Sequence, residues 1–530
     1  MNNRNYNIFF HLHTLSGITI TIGLFVIFFA GAFTLFRQEI GEWESGKYQR
    51  GQTAASKAEP IDYNRIMDSV EKHVPSLYGR NIYVYSEGTS VKQSIYISGS
   101  DDPKADSLGK ITYEYEVNPA DYQLKNHESD FSFGELLYLL HFYYQLDRIG
   151  YYISGFVALF FFLAIVTGIL VHWEKIRSNF YLFRPRQKMK TIWTDAHTAL
   201  GVIGLPFQFI YALTGCMFGL GVIVASTNAI WVYDGDTGKM YDDVLRGENK
   251  DTLGNKQTFV VDYNRMVEKT AGQWSGFKVD RLHLAFYGSQ TMHVEVSGSE
   301  HISKRFLGQG SVIFDAKTGK EKAVKKPGEM SYYDNVWSSV RRLHYAQFGE
   351  IGTFSTYLLK VVYFLMAFLT CFVIISGVLI WLEARNKKNI PEKKQRYNRR
   401  VGSIYLALCL SMLPVTAGCF ILSKLLPESV SASRETILNY AFFLGWLVLS
   451  ILLSLKKDKQ FTNRFTLLSG GILGVLIPVV NGISSGNWFW RTWMNGEYGI
   501  FSVDLLWLCS GIICLLIVRK LNRKARLNAA

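Results

Sequence analysis

The sequence lacks any cysteine spacing that could hold a metal or a disulfide framework. Its 530 residues include only six cysteines, all of them within long apolar stretches, and no CxxC motif occurs. Disulfide-rich scaffolds and thiolate-bound zinc or iron–sulfur sites depend on such spacing. These classes are therefore excluded, and the cysteines are expected to be small packing residues.

Nucleotide-binding motifs are absent as well. No G-x-G-x-x-G motif opens a helix after a strand, and no P-loop is present. The chain therefore carries no recognisable site of its own for a dinucleotide or a nucleoside triphosphate.

Long apolar runs are what the sequence has in abundance. A helix needs about 20 apolar residues to cross roughly 30 Å of hydrocarbon. The first run is too long for the apolar part of a cleaved signal peptide. We therefore expect an α-helical polytopic membrane protein with eight transmembrane helices. The expected spans are Thr14–Phe36, Ile149–Trp173, Ala199–Ala225, Thr356–Leu382, Ser403–Leu425, Ile437–Leu455, Phe465–Val480 and Val503–Val518.

The positive charge is distributed by topology. The chain has a formal net charge of +14 at pH 7, and its basic clusters follow the second, fourth, sixth and eighth spans. Cytoplasmic connections are enriched in Lys and Arg, so this alternation places both termini in the cytoplasm. It also means that the charge indicates membrane lipid, not nucleic acid, as the partner.

An internal repeat covers the first four spans. The motif "DYNRI" begins at Asp62 and "DYNRM" at Asp262, while "HTLSG" begins at His13 and "HTALG" at His197. The segments "LLHFYYQLDRIG" and "RLHYAQFGEIG" correspond in the same way. Residues 1–175 and 190–385 are thus two copies of one unit, each composed of a span, an external segment and a second span.

The external segments have the composition of small α+β domains, with one helical stretch and several alternating strands each. Their five histidines are expected to be ordinary surface residues. The predicted organisation is transmembrane helix 1 (1–36), external domain 1 (37–145), transmembrane helices 2 and 3 (146–225), external domain 2 (226–342), transmembrane helix 4 (343–385) and a C-terminal four-helix membrane segment (386–530).

Four histidines fall into two pairs, and the two members of each pair lie at the same depth in the membrane. The topology puts His13 and His197 at the inner side and His141 and His344 at the outer side, each pair from equivalent positions of the repeat. Two facing imidazoles on neighbouring helices are what a bis-histidine haem b requires. The pattern therefore predicts two haem b groups with these four residues as axial ligands of the iron.

Small and basic residues near the histidines support this interpretation. Gly17 and Gly201 follow the inner histidines by four residues and would let a flat macrocycle approach the helix. Arg148, Arg341 and Arg342 lie close in sequence to the outer pair and are expected to bind haem propionates.

Two alternatives remain open at this stage. The histidines could be interfacial residues that reach the membrane surface, and His11 or His172 could replace a ligand of the inner pair. A zinc site has less support, because two histidines per face leave a tetrahedral ion short of ligands.

The chain resembles the PepSY-associated transmembrane family, the iron-regulated membrane proteins that include bacterial inner-membrane ferric-siderophore reductases. The resemblance rests on "HTLSG…FFAGAFTLFRQEI", "LHFYYQLDRIGYYISGFVALFFFLAIVTGIL", "DAHTALGVIGLPFQFIYALTG" and "RRLHYAQFGEIGT…SGVLIWLEA", within roughly residues 8–385. It implies PepSY-like external domains on the periplasmic side of the inner membrane. It also implies haem ligation by the four paired histidines.

The function expected from these observations is electron transfer. Electrons would pass from a separate cytoplasmic reductase or the quinol pool to the periplasmic side. The resemblance implies a ferric siderophore as the acceptor there, and hence an oxidoreductase activity that reduces Fe(III) to Fe(II). The alternative is a PepSY-domain binding or regulatory protein, similar to a peptidase inhibitor and without redox activity. A transporter has less support, because the repeat is parallel, not inverted.

The C-terminal four spans contain no histidine, so they ligate no haem through imidazole. A tryptophan-rich connection at residues 481–499 is expected to form an aromatic belt at the outer surface. It could instead flank a siderophore site together with Arg491.

Overall fold

Among the residues that the structure describes, eight helices are long and apolar enough to cross a membrane, as the sequence predicts. The computed structural model describes residues 3–46, 61–86, 93–117, 121–126, 131–175, 184, 187–244, 252–300, 306–348, 354–387, 389–427, 430 and 433–529. The spanning helices are α1 (Asn3–Thr34), α6 (Asp147–His172), α7 (Met189–Val232), α11 (Phe354–Ala384), α12 (Glu392–Leu425), α13 (Arg434–Lys456), α14 (Lys459–Ser485) and α16 (Tyr498–Ala529).

Shorter helices and eight strands complete the described part of the chain. The shorter helices are α2 (Arg37–Ser45), α3 (Tyr63–His73), α4 (Ser107–Lys110), α5 (Phe133–His141), α8 (Thr237–Val244), α9 (Tyr263–Gln273), α10 (Tyr332–Tyr345) and α15 (Phe489–Met494). The strands are β1 (Ile82–Ser86), β2 (Gln93–Ile97), β3 (Tyr113–Val117), β4 (Leu124–Asn126), β5 (Phe277–Ala285), β6 (His293–Glu300), β7 (Gln309–Asp315) and β8 (Glu321–Lys325).

The four spanning helices of the repeat form one bundle. Helices α1 and α7 each pack against both α6 and α11. Small residues permit a close crossing of α6 and α7, where a Cβ added to Gly155 would lie 2.7 Å from the backbone of Gly219. Such small residues are typical of helix contacts in membranes, because they allow the backbones to approach closely.

The helices that carry the four paired histidines differ from the expected spans. Helix α1 begins at Asn3 and α7 at Met189, so His13 and His197 lie inside helices and not at their ends. The outer histidines, His141 and His344, lie on the short helices α5 and α10 that precede α6 and α11.

A residue in the left-handed region follows each of these short helices. Tyr143 has a φ of 59° and Ala346 a φ of 53°, each two residues after the paired histidine. A Cβ at Gly150 would lie 1.9 Å from the carbonyl oxygen of Tyr143, so the first turn of α6 requires glycine there. Left-handed backbone is unusual for residues other than glycine and is found preferentially at functional sites.

The C-terminal helices form a second bundle beside the first. Helix α14 packs against α12 and α16, and α2 packs against α16. A buried polar contact fixes this junction, since the Trp43 indole donates to Asp504 at 2.7 Å and the Asn481 amide donates to the same carboxylate at 2.8 Å. The two bundles are thus joined at the level of α2.

The two external segments share one sheet. Its eight antiparallel strands have the order β4-β3-β2-β1-β5-β6-β7-β8, so each segment contributes four consecutive strands. The segments meet where β1 pairs with β5, with Ile82 opposite Leu284 and Val84 opposite Leu282. Helices α3 and α9 cover one face, where their apolar side chains pack against those of the strands.

The repeated "DYNR" motifs cap each other's helices. Asp62 and Asp262 each accept a hydrogen bond from the third backbone amide of their own helix, as an N-cap residue does. The Asn64 side chain accepts from the backbone amide of Tyr263 at 2.8 Å, and Asn264 accepts from that of Tyr63 at 2.7 Å. The motif therefore specifies both a helix start and the contact between the two halves.

Two external histidines are not ordinary surface residues. His293 is buried, and the ring of His283 stacks on that of Tyr83 with centroids 4.1 Å apart. Their strands lie in the middle of the sheet, where neighbouring strands cover them. His127 and His301 lie outside the described residues.

Candidate functional site

The structure brings the inner histidines together. His13 of α1 and His197 of α7 have ring centroids 6.2 Å apart, with their planes inclined at 71°. His13 Nδ1 donates to the carbonyl oxygen of Ala164 on α6 at 2.8 Å, and His197 Nδ1 donates to that of Val373 on α11 at 2.9 Å. Each ring is thus held by the second spanning helix of its own repeat.

The outer histidines form a second facing pair. The rings of His141 and His344 have centroids 6.0 Å apart, with their planes inclined at 48°. His141 Nδ1 donates to the carbonyl oxygen of Ile27 on α1 at 2.8 Å. The Nδ1 atom of His344 lies 2.7 Å from the hydroxyl oxygen of Thr214 on α7.

These hydrogen bonds determine the tautomers. A carbonyl oxygen can only accept, so His13, His141 and His197 carry their proton on Nδ1. The hydroxyl of Thr214 donates to the carbonyl oxygen of Ile210 at 2.6 Å, which leaves its oxygen to accept from His344. When neutral, each of the four rings therefore has its lone pair on Nε2, as in metal-bound histidines oriented through the other ring nitrogen.

The outer pair is uncharged at neutral pH. Burial lowers the pKa of His141. Burial, together with the nearby His141, lowers the pKa of His344 to about 3. Neutral imidazole is the form that binds metal.

Glycines leave room for the rings. A Cβ at Gly168 would lie 3.1 Å from His13 Cε1, and one at Gly377 would lie 3.2 Å from His197 Cε1. A Cβ at Gly31 would lie 2.7 Å from the ring of His141. At Gly17 and Gly201, by contrast, a Cβ would meet no atom of the part of the chain that the structure describes within 4 Å, so open space lies one helical turn from each inner histidine.

The donor set fits haem iron better than a free metal ion. An imidazole nitrogen lies about 2 Å from a metal that it binds, so two rings on opposite sides of one iron have centroids about 6 Å apart. Both pairs have this spacing. Within the described residues no group of three His, Cys, Asp or Glu side chains could hold a metal ion. The two pairs could therefore each hold a group that needs only two axial nitrogens.

The three arginines differ in their surroundings. Arg148 and Arg341 are exposed. Arg342 donates to the carbonyl oxygen of Phe306, and its guanidinium lies 5.7 Å from the centre of that ring. Propionate binding by these residues stays a prediction, and Arg342 would have to share its donors with the external domain.

The two spare inner histidines are placed differently from each other. His172, at the end of α6, is half-buried and lies close enough to the inner pair to interact electrostatically with His13 and His197. His11 is exposed, and the centroid of its ring lies 5.9 Å from that of the Phe10 ring. The inner facing pair in the structure is His13 with His197.

The tryptophan-rich connection forms an apolar surface. A cavity of about 380 Å³ is lined by Phe489, Trp490, Trp493, Met494 and Phe501. No charged residue lines it, and the nearby Arg491 is exposed. The apolar lining favours the aromatic belt over a site for a charged chelate.

Some of the residues that hold the histidines were not identified from the sequence. The carbonyl groups of Ala164, Val373 and Ile27 leave no trace in side-chain patterns. The repeated "TGILV" and "SGVLI" segments did contain a signal, because Gly168 and Gly377 occupy the same position in both. Each precedes the end of its helix and contacts the inner histidine of its own repeat.

Comparison with known proteins agrees with this architecture. The chain is 20% identical over 270 residues to the uncharacterized protein PA4219 of Pseudomonas aeruginosa. That alignment covers 50% of this chain and 66% of the relative, just under two thirds of its length. The model of the PepSY-associated TM region matches residues 10–384, which include the two external segments and all four paired histidines. The chain therefore belongs to the PepSY-associated TM region family.

Proposed function

We propose that this protein is a di-haem b electron-transfer protein of the bacterial inner membrane that reduces periplasmic ferric siderophores. The observation that carries the proposal is the presence of two facing histidine pairs with centroids 6.2 Å and 6.0 Å apart. Haem b, when bound, supplies one-electron transfer at its iron. His13 and His197 would hold the inner group, and His141 and His344 the outer one.

The separation of the pairs suits transfer across a membrane. Along α1, the acceptor of His141 is Ile27, 14 residues after His13. At 1.5 Å per residue this is a rise of about 21 Å, most of the roughly 30 Å of a hydrocarbon core. One histidine pair would therefore lie near each side of the hydrocarbon core.

The outer pair lies at the junction with the external sheet. Helix α10, which carries His344, contacts the sheet through Ser338, whose hydroxyl donates to Gln309 of β7. A chelate too bulky to enter the bundle could approach this junction from the periplasm. The reductant would be a quinol or a separate cytoplasmic reductase, and both termini would lie in the cytoplasm.

A pyridine haemochrome assay on the purified full-length protein tests the proposal. We expect two b-type haems per chain, both low-spin and six-coordinate in the resting state. A ratio near one, or a high-spin spectrum, would contradict the four-ligand assignment. A colourless protein would instead support the PepSY-domain binding function.

A further inference from the structure

One of the four histidines differs from the other three in its hydrogen-bond acceptor. His13, His141 and His197 donate from Nδ1 to backbone carbonyl oxygens. His344 donates to the hydroxyl oxygen of Thr214. The bond of His197 to Val373 is supplemented by Ser376 at 3.2 Å, so the carbonyl is retained there. The exception therefore lies in the outer pair.

The internal repeat explains the exception. His197 follows its counterpart His13 by 184 positions, and Thr214 follows Ala30 by the same number. In the first copy Ala30 offers no hydroxyl, and His141 donates to the carbonyl of Ile27. In the second copy the hydroxyl of Thr214 takes the place of the corresponding carbonyl as acceptor.

The acceptor affects the donor strength of the ligand. A hydrogen bond from Nδ1–H makes the imidazole more basic at Nε2, and a stronger acceptor increases this effect. An amide carbonyl oxygen is a stronger hydrogen-bond acceptor than a neutral hydroxyl oxygen. The hydroxyl of Thr214 donates its own proton to the carbonyl oxygen of Ile210, so it meets His344 only through its oxygen lone pairs. His344 is therefore the weakest electron donor of the four.

We infer that Thr214 is a positioning residue that raises the reduction potential of the outer haem above the value that a carbonyl acceptor would give. A less basic axial ligand stabilises the ferric state less, and hydrogen bonding around the ligand is one of the ways in which a protein sets a haem potential. The inference rests on the proposed function. A higher reduction potential at the outer haem favours the transfer of an electron from the inner haem toward the periplasmic side. The transfer forms and breaks no bond.

The test is a spectroelectrochemical titration of the full-length protein and four variants, of which His344→Ala serves to identify the outer signal. Thr214→Ala restores the residue type of the first repeat and should free His344 to donate to the backbone, which lowers the outer potential. Thr214→Ser keeps the hydroxyl and should match the wild type. The control is Thr227→Ala, on the same helix, because its hydroxyl also donates to the carbonyl four residues earlier but, among the described residues, makes no hydrogen bond to a histidine.

We expect Thr214→Ala to lower the equilibrium constant for reduction of the outer haem about tenfold. This corresponds to a decrease of about 59 mV in its one-electron reduction potential. The outer signal is identified as the one that His344→Ala removes. An unchanged or increased outer potential in Thr214→Ala, with both haems bound, would overturn the inference alone. Absence of haem from the wild-type protein would instead overturn the proposed function, so the two failures are distinguishable.

Discussion

A bulky residue at Gly201 should remove the inner haem without harming the fold. A Cβ at this position meets no atom of the described residues within 4 Å, and the same is true of Gly221 on the same helix. Replacing a helical glycine by leucine favours the helix by up to about 1 kcal/mol. Both substitutions should therefore leave the apoprotein at least as stable as the wild type.

The two variants should differ in haem content. Helical side chains lean toward the N-terminus of the helix, so the new side chain in Gly201→Leu extends toward the turn of His197. It would occupy the space that the proposed macrocycle needs. The haem-to-protein ratio should fall from two to one in Gly201→Leu and stay at two in Gly221→Leu.

Pyridine haemochrome spectra of both variants, with thermal unfolding measured alongside, provide the assay. Retention of two haems in Gly201→Leu would refute the idea that the macrocycle lies against this face of α7. Equal loss in both variants would show that the effect belongs to the helix and not to the site.

Three further predictions follow from the positions of the residues. His141→Ala should remove only the outer haem and His13→Ala only the inner one, as two separate potentials in a redox titration would reveal; depletion of the same haem by both would contradict the pairing. His344→Ala protein, reduced with dithionite without oxygen, should keep a reduced-haem band that ferric siderophore does not reoxidise, whereas rapid reoxidation would exclude the outer haem as the exit point. Arg434→Ala should lower the free energy of unfolding by about 3–5 kcal/mol because it leaves the buried carboxylate of Glu44 unpaired; an unchanged melting temperature would contradict this.

The spans and the sorting of the histidines were accessible from the sequence because both depend on simple periodic signals. Apolar length alone identifies a membrane helix. Duplication then shows which histidines are equivalent, and alternating basic connections show which of them share a side. The described part of the chain has eight such helices, and the structure brings His13 to His197 and His141 to His344.

The helix breaks after the outer histidines could not be predicted. Tyr143 and Ala346 adopt left-handed backbone, yet neither is a glycine or an asparagine, the residues that usually announce such a conformation. The surrounding packing imposes it. For the same reason the sequence predicted His141 and His344 at the ends of spans and not on separate short helices.

The shared sheet was equally hidden. Local alternation predicts that strands exist, but not that β1 pairs with a strand about 200 residues later. Edge strands of small domains offer unpaired backbone groups, and here the two segments satisfy each other's edges. The sequence also did not show that His344 donates to a hydroxyl and not to a backbone carbonyl. A threonine within a spanning helix gives no sign of what its hydroxyl contacts.

The pairing of β1 with β5 gives the external region an approximate two-fold axis. Tyr83 and His283 are equivalent in the repeat, lie directly opposite each other in the ladder and stack with an interplanar angle of 4°. With the exchanged asparagine caps, each half presents the same surface to the other, as subunits of a symmetric homodimer do. The contact is isologous within a single chain. A change to Asn64 is therefore felt first in the opposite half, at the start of α9.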